Sequence, residues 1–141
     1  MSGVLFACRE NAARSQLAEA LFRQLAPRHE AWSAGSAPSH VHPEVRPVLE
    51  EAGFDARGLR SKGFAEVPWR EVDLVVLLCT EEACPLPPAG PAVLHWPQPD
   101  PAAAPPGERL EAFRATRDEI LRRLPDIVER LDRFDGGPPA A

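Results

Sequence analysis

The 141-residue chain has no tyrosine, one methionine and only three cysteines. It also lacks any apolar run close to the roughly 20 residues that cross a membrane, and its N-terminus shows no basic stretch followed by a long apolar region. An odd cysteine count without an export signal argues against a framework of structural disulfides. We therefore expect a cytoplasmic protein with no membrane segment, whose thiols serve reactive or metal-binding roles.

Positive charge is also scarce, because the formal net charge is −5. Binding nucleic-acid phosphates needs a basic face that this composition does not supply, so we predict no nucleic-acid partner. The hydrophobic share of 44% and the charged share of 26% lie near globular averages, which excludes wholesale disorder. Any anion-binding site must therefore be local.

Short apolar runs alternate with segments of helical periodicity. Four runs are predicted to be strands: 4–7, 31–33, 72–78 and 93–96. Helices are predicted from about residue 12 to 25, over 43–52 and over 108–134, the last kinked or split at Pro125. This alternation predicts one α/β domain, residues 1–134, with a central four-stranded parallel sheet flanked by helices on both faces. Residues 135–141 are predicted to form a flexible C-terminal tail.

The junction between the first strand and the first helix carries the clearest chemical pattern. Cys8 follows the strand directly, and Arg14 follows Cys8 after five residues. A loop at such a junction can aim backbone N–H groups inward, and the helix N-terminus adds positive potential, which together bind a tetrahedral anion. Arg14 would close this cradle and, with the other donors, would favour the thiolate of Cys8. The predicted oxyanion-binding loop is Arg9, Glu10, Asn11, Ala12, Ala13, Arg14 and Ser15.

Two residues of the loop have secondary predicted roles. Ser15 could donate its hydroxyl to the thiolate, and Asn11 could brace the loop through bonds to the backbone. Cys8 and Cys79 both follow apolar strands, so both are expected at the carboxyl edge of the sheet, where ligands of such folds gather. Without further context, Cys8 would be a small buried residue and Arg14 a surface charge.

The sequence resembles the low-molecular-weight tyrosine phosphatase fold and, within it, the thioredoxin-coupled arsenate reductases. The resemblance covers almost the whole chain. Its motifs are C-x-x-N-x-A-R-S over 8–15, Ser33-Ala34-Gly35, Val41-His42-Pro43, Ser61-Lys62, Cys79, Cys84-Pro85, His95-Trp96 and Asp100-Pro101-Ala102.

The resemblance implies a role for each catalytic residue. Cys8 would be the attacking thiolate, Arg14 the oxyanion clamp, and Asp100 the acid that protonates the leaving oxygen. Cys79 would attack the sulfur of the Cys8–arsenic adduct and release arsenite. Cys84 would then attack Cys79, leaving a disulfide for thioredoxin. The expected partners are arsenate, or a phosphate ester, as substrate and thioredoxin as reductant, with the protein acting as a monomer.

Two other functions stay open at this point. A phosphatase would hydrolyse phosphate monoesters through a Cys8 phosphoenzyme, although Ala102 stands where an aromatic could flank a phenyl ring, which disfavours phosphotyrosine. A metal-binding module could use Cys79, Cys84 and His95, but a closed zinc site needs four ligands. His40 and His42 are interpreted as surface or helix-start residues.

Some features depart from the resemblance or extend it. Only four residues separate Cys79 from Cys84, fewer than in the arsenate reductases, and Glu10 puts a negative charge beside an anion site. Some members of the family hold a potassium ion beside the loop, and the matching positions are Asn11, Glu19, Ser33 and Glu66. Because matching oxygen atoms alone do not establish a site, we predict no metal and no cofactor.

Overall fold

The sheet is four-stranded and entirely parallel. The computed structural model describes residues 2–80 and 90–136. The strands are β1 (Gly3–Cys8), β2 (Glu30–Gly35), β3 (Leu74–Leu77) and β4 (Ala92–His95), in the order β2-β1-β3-β4. The α-helices of the described residues are α1 (Arg14–Leu25), α2 (Val45–Glu51) and α3 (Arg109–Gly136). The predicted α/β fold with a four-stranded parallel sheet is confirmed.

Helical segments cover the two faces of the sheet in different ways. Alternate residues of β1, among them Val4 and Phe6, share one hydrophobic cluster with the buried side chains of all three α-helices. Leu5 and Ala7 point to the other face, where a smaller cluster is closed by the segment 64–72 with its two short 3-10 helices. The alternation follows from the pleat of a strand that is buried on both faces.

Pro125 lies inside α3, which continues through it, so of the two predicted outcomes, a kink or a split, the split is wrong. A proline inside a helix removes one backbone hydrogen bond and crowds the preceding turn. Here the apolar stripe continues on both sides of the proline, with Ile120, Leu124, Ile127 and Leu131 all buried in the core. Packing of this stripe against the sheet outweighs the local cost. None of the described helices is long and apolar enough to cross a membrane.

The end of α3 corrects the predicted tail. Asp135 and Gly136 belong to the helix, and Asp135 accepts a hydrogen bond from the Ser2 hydroxyl. The neighbouring Asp132 binds the buried His29 ring at 2.8 Å and Arg28 at 2.9 Å. These contacts tie the last helical turns to the start of the chain, so the domain extends past residue 134. Residues 137–141 lie outside the described part of the chain.

Candidate active site

The loop between β1 and α1 surrounds a small cavity of about 80 Å³. Cys8 ends β1 and is 2% exposed, and Arg14 begins α1. The volume is well below the roughly 300–1,000 Å³ of sites that take drug-sized ligands, so this cavity suits a small ion. The residues that line it are Cys8, Glu10, Ala12, Ala13, Arg14, Ser39, His40, His42, Asp100 and Ala102.

Behind the cavity, the thiol of Cys8 ends a chain of buried hydrogen bonds. Its Sγ lies 2.8 Å from Ser15 Oγ, and Asn11 Nδ2 donates to that same oxygen at 2.7 Å. An amide nitrogen can only donate, so Ser15 Oγ accepts from Asn11 and its own hydrogen is directed at the sulfur. A hydrogen bond to a sulfur is stronger when the sulfur is charged, so this arrangement favours the thiolate.

Asn11 also fixes the shape of the loop. Its φ of 50° is left-handed, a conformation that asparagine adopts more readily than most residues. Its Oδ1 accepts from the Lys62 backbone N–H at 2.7 Å and from Gln16 Nε2 at 2.9 Å. Gly35, at the end of β2, lies so close that a Cβ there would come within 2.5 Å of Arg9 O and 2.7 Å of Asn11 N. The loop is therefore held by side-chain bonds on one side and by backbone contact on the other.

The start of α1 supplies positive potential at the cavity. Its N-cap residue, Ala13, makes no side-chain capping bond. The first turn of a helix has N–H groups without intrahelical partners, and an uncapped N-terminus beside a cavity is a site for an anion. Arg14 is buried, and its Nη1 donates to Gln98 O at 3.1 Å and to Leu78 O at 3.5 Å. These carbonyls fix the guanidinium over the carboxyl ends of β3 and β4.

Asp100 and His42 form the opposite side of the cavity. Asp100 is the N-cap of a short 3-10 helix and accepts from Ala102 N at 3.0 Å, which is the turn role expected of an Asp before Pro101. Its half-buried carboxyl nevertheless lines the same cavity as Cys8. Burial, and secondly the positive charge of Arg109, lower the pKa of His42. His42 therefore adds no positive charge to the cavity at neutral pH.

Glu10 stands at the exposed rim of the cavity. Its Oε1 accepts a hydrogen bond from Ser39 Oγ at 3.2 Å. Its backbone carbonyl accepts hydrogen bonds from Ser39 N and from Ser61 Oγ, so the loop is hydrogen-bonded to the segments that carry these two serines. Arg9 is also exposed. The negative charge of Glu10 is thus solvated at the mouth of the cavity, which limits the repulsion of an anion inside.

Cys79 is not among the residues that line the cavity. Cys79 is 8% exposed and disulfide-bonded, whereas Cys8 is a free thiol. Cys84 lies outside the described residues. In residues 2–80 and 90–136, no three His, Cys, Asp or Glu side chains are grouped so as to hold a metal ion. His95, the remaining member of the candidate metal set, is exposed at the end of β4.

Several residues that shape the site carried no local sequence signal. Gln16 Nε2 donates to Asn11 and to Arg60 O, and Gly35 makes room for the loop. His42, interpreted from sequence as a helix-start residue, does accept from Glu44 N at 3.1 Å, but it also lines the cavity. The signal that could have found them was the family resemblance, whose motifs include Gly35, His42 and Lys62.

Comparison with known proteins identifies a family and several similar structures. Residues 3–135 match the family described as low molecular weight phosphotyrosine protein phosphatase. A relative from Synechocystis sp., named glutaredoxin arsenate reductase, is 31% identical over 93% of this chain and 99% of its own length. A solved arsenate reductase in the phosphate binding state has a TM-score of 0.81 at 30% identity, covering 93% of this chain and 99% of the other.

A thioredoxin-dependent arsenate reductase of Corynebacterium glutamicum is also similar in structure. Its TM-score is 0.69 at 28% identity, over 92% of this chain and 63% of that one. The family match spans nearly all of the present sequence and includes the whole sheet and the loop from Cys8 to Ser15. The protein belongs to the low molecular weight phosphotyrosine protein phosphatase family.

Proposed function

We propose that this protein is an arsenate reductase that uses Cys8 as nucleophile and passes oxidation through Cys79 and Cys84 to thioredoxin. The observation that carries the proposal is the free Cys8 thiol in an ion-sized cavity, bonded to Ser15 and facing the uncapped start of α1. The arsenate reductases named among its relatives support the choice of substrate. Arsenate and phosphate share charge and shape, so the second and third thiols decide the reaction.

In the first step the cavity binds the oxyanion. N–H groups at the start of α1 and the guanidinium of Arg14 bind its oxygens, while the Cys8 thiolate attacks arsenic. The bond from arsenic to one hydroxyl of the arsenate breaks, and that hydroxyl takes a proton from Asp100 and departs as water. The product is a covalent Cys8–arsenic(V) adduct.

In the second step Cys79 attacks Cys8 Sγ. The S–As bond breaks and its electron pair stays on arsenic, which leaves as arsenite, while the two thiols become a disulfide. Sheet geometry supports this step. Ala7 pairs with Leu77, and Leu78 N still donates to Ala7 O at 2.8 Å, so Cys79 lies one residue beyond the level of Cys8 on the adjacent strand.

The spacing of strands and residues converts this register into a distance. Neighbouring strands lie about 4.8 Å apart and successive residues about 3.3 Å, which gives roughly 6 Å between the Cα atoms of Cys8 and Cys79. Disulfides form at Cα separations of about 4.4–6.8 Å. Strict alternation would point Cys79 to the other face, but it shares the core cluster of Cys8. The two side chains thus lie on the same face of the sheet.

In the third step the Cys84 thiolate attacks Cys79 and frees Cys8, and an external dithiol reduces the Cys79–Cys84 disulfide. Thioredoxin is the proposed reductant, in line with the Corynebacterium protein, while the name of the Synechocystis relative makes glutaredoxin the competing donor. All three thiols belong to one chain, so the proposed unit is a cytoplasmic monomer acting on free arsenate.

Phosphate-monoester hydrolysis is a second candidate activity. It needs only Cys8, Arg14 and an acid, and Asp100 lines the same cavity. The wall beside Asp100 is Ala102 and not an aromatic side chain, so the site offers no ring stacking to a phosphotyrosine.

The test measures NADPH consumption with arsenate in two coupled systems, one with thioredoxin and its reductase and one with glutathione, glutaredoxin and glutathione reductase. We expect turnover in the thioredoxin system that is lost in Cys8→Ser, Cys79→Ser and Cys84→Ser. Hydrolysis of p-nitrophenyl phosphate, run in parallel, should need Cys8 alone. A wild-type protein that hydrolyses the ester but consumes no NADPH in either system would establish the phosphatase in place of the reductase.

A further inference from the structure

Behind the oxyanion loop, the ammonium of Lys62 sits among three oxygens. Its Nζ lies 2.7 Å from Arg60 O, 3.4 Å from Glu19 Oε1 and 3.4 Å from Ser33 Oγ. The Glu19 side chain is 4% exposed and that of Lys62 is 17% exposed. A carboxylate, a hydroxyl and a carbonyl therefore surround one positive charge in a largely buried position.

This cluster is connected directly to the nucleophile. The Lys62 backbone N–H donates to Asn11 Oδ1 at 2.7 Å, Asn11 donates to Ser15 Oγ, and Ser15 lies against Cys8 Sγ. Lys62 O accepts in addition from Gly35 N at 2.9 Å. The backbone that carries the ammonium thus fixes Asn11, and through it the donor to the thiol.

Neutralising Glu19 does not by itself require Lys62. Arg23 Nη1 binds the other carboxylate oxygen, Glu19 Oε2, at 2.9 Å. Lys62 also donates to Ser33 Oγ and to the carbonyl of Arg60. Arg23 instead donates its other hydrogen bonds to Ala31 O. The Lys62 side chain thus links the segment 60–62 to α1 through Glu19 and to β2 through Ser33.

The oxygens around Lys62 belong to the region where some family members hold a potassium ion. The residues present do not fit such an ion in addition, because the ammonium already lies among the oxygens of Glu19, Ser33 and Arg60. Glu66, the fourth matching position, is turned to other partners: Arg60 Nη1 at 2.8 Å and Gly63 N at 3.3 Å.

We propose that Lys62 is a positioning residue whose tethered ammonium replaces a free monovalent cation in holding Asn11, Ser15 and Cys8 in place. The protein then needs no potassium, and removing the ammonium creates a dependence on it. The inference rests on the proposed use of Cys8 as nucleophile. It concerns the reactivity of that thiol and not the identity of the oxyanion.

The experiment follows Cys8 alone, in a Cys79→Ser/Cys84→Ser background, by its reaction with 2,2′-dithiodipyridine at neutral pH. Equal concentrations of potassium chloride and choline chloride are compared. The starting protein should react equally fast in both salts. Lys62→Met should react about tenfold more slowly in choline chloride, the scale of one lost hydrogen bond to a charged group, and should recover in potassium or ammonium chloride. Lys62→Arg should keep most of the reactivity without added potassium.

Arg23→Met is the matched control, because it removes the other cation from the same carboxylate and should show no potassium effect. Lys62→Gln serves as a second variant, since a neutral hydrogen-bonding side chain disturbs packing less if Lys62→Met fails to fold. Potassium stimulation of the starting protein would overturn the proposal. So would a folded Lys62→Gln that reacts at the unsubstituted rate, or one whose slow reaction no monovalent cation restores.

The readout needs no arsenate, so it separates this proposal from the function. Potassium-restored thiol reactivity in a protein that never consumes NADPH would refute the reductase and leave the role of Lys62 standing. Arsenate turnover in a protein whose Lys62 variants do not respond to potassium would support the reductase and refute the proposed role of Lys62.

Discussion

Replacing Ser15 with alanine should slow Cys8 at neutral pH and speed it at high pH. The hydroxyl lies 2.8 Å from Cys8 Sγ and accepts from Asn11 Nδ2 at 2.7 Å, so its hydrogen is directed at the sulfur. Ser15 is completely buried in the first turn of α1. Alanine fits the same space and the same helix, so the change removes the donor to Cys8 and, with it, the acceptor of Asn11 Nδ2.

The size of the effect follows from the loss of one hydrogen bond to a charged atom. Such a bond contributes about 1.5–3 kcal/mol, so its loss leaves at most roughly 10- to 150-fold less thiolate. A less stabilised thiolate is more nucleophilic, with a logarithmic slope of about 0.4–0.5, and this restores part of the rate. The net reaction with a neutral disulfide should be slower at neutral pH, by at most about 20-fold.

At strongly alkaline pH, Cys8 is ionised with either residue at position 15, and only the difference in the nucleophilicity of the two thiolates remains. The Ser15→Ala thiolate should then react faster than the unsubstituted one, so the two rate–pH curves cross. The assay is again the reaction with 2,2′-dithiodipyridine in the Cys79→Ser/Cys84→Ser background. Ser36→Ala is the control, because Ser36 is an exposed serine whose hydroxyl makes a long 3.5 Å bond to Arg9 O and does not contact Cys8.

The outcome that refutes this reasoning is a Ser15→Ala protein that is slower by one constant factor at every pH. That pattern would mean that the substitution deforms the loop and does not act through the charge on sulfur. Equal rates at neutral pH would be a different refutation, because the hydrogen of Ser15 would then point elsewhere.

Two further predictions concern the loop and the end of α3. Gly35→Ala should lower arsenate turnover by about a hundredfold, because its Cβ would come within 2.5–2.9 Å of three backbone atoms of the loop and force them to shift. Gly63→Ala is the control, because the nearest atom to its Cβ would be in a proline ring at 3.4 Å, and its turnover should be near normal. Hydrogen bonds from Arg28, and then from His29, lower the pKa of Asp132. The stabilisation from this ion pair is present above the ordinary pKa range of Asp and is lost as the pH falls through the lowered pKa. Asp132→Asn should therefore reduce the melting temperature by about 2–4 °C at neutral pH and leave it unchanged in strong acid. A difference in melting temperature that does not depend on pH would contradict the ion pair.

The parts of the site that follow one strand were predictable from the sequence. An apolar run ending at Cys8, followed by a loop and an amphipathic helix beginning near Arg14, fixes a strand–loop–helix unit by local rules alone. The structure places Cys8 at the end of β1 and Arg14 at the start of α1. The catalytic roles of these residues stay predictions until the variants are measured.

The parts that depend on distant segments were not predictable by such rules. Lys62, His42 and Gly35 reach the loop because separate crossovers bring their segments over the carboxyl edge of the sheet. No spacing within any one segment encodes those meetings. Pro125 failed as a helix breaker for the same reason, because tertiary burial of the stripe around it outweighs a local preference.

Burial also gives a reason for the third thiol of the proposed relay. Cys8 and Cys79 are 2% and 8% exposed, so a disulfide between them would be shielded from a protein reductant. Cys84 follows Cys79 by five residues, and an extended chain of that length reaches at most about 17 Å. That reach is ample to close a disulfide, which needs a Cα separation of about 4.4–6.8 Å. In the proposed relay the third thiol therefore carries oxidation outward and takes no part in the chemistry at arsenic.

Cys84→Ser should consequently complete one turnover and then stop. Mixing the reduced variant with excess arsenate should release one arsenite per protein, at the unsubstituted rate, with a Cys8–Cys79 disulfide left behind. Rapid-quench measurement of arsenite and peptide mapping of the disulfide test both points. Cys79→Ser is the comparison, because it should release no arsenite in the burst. A Cys84→Ser protein without a burst of arsenite would place Cys84 in the reduction step itself. Continued turnover of Cys84→Ser with thioredoxin would show that the reductant reaches the Cys8–Cys79 disulfide directly.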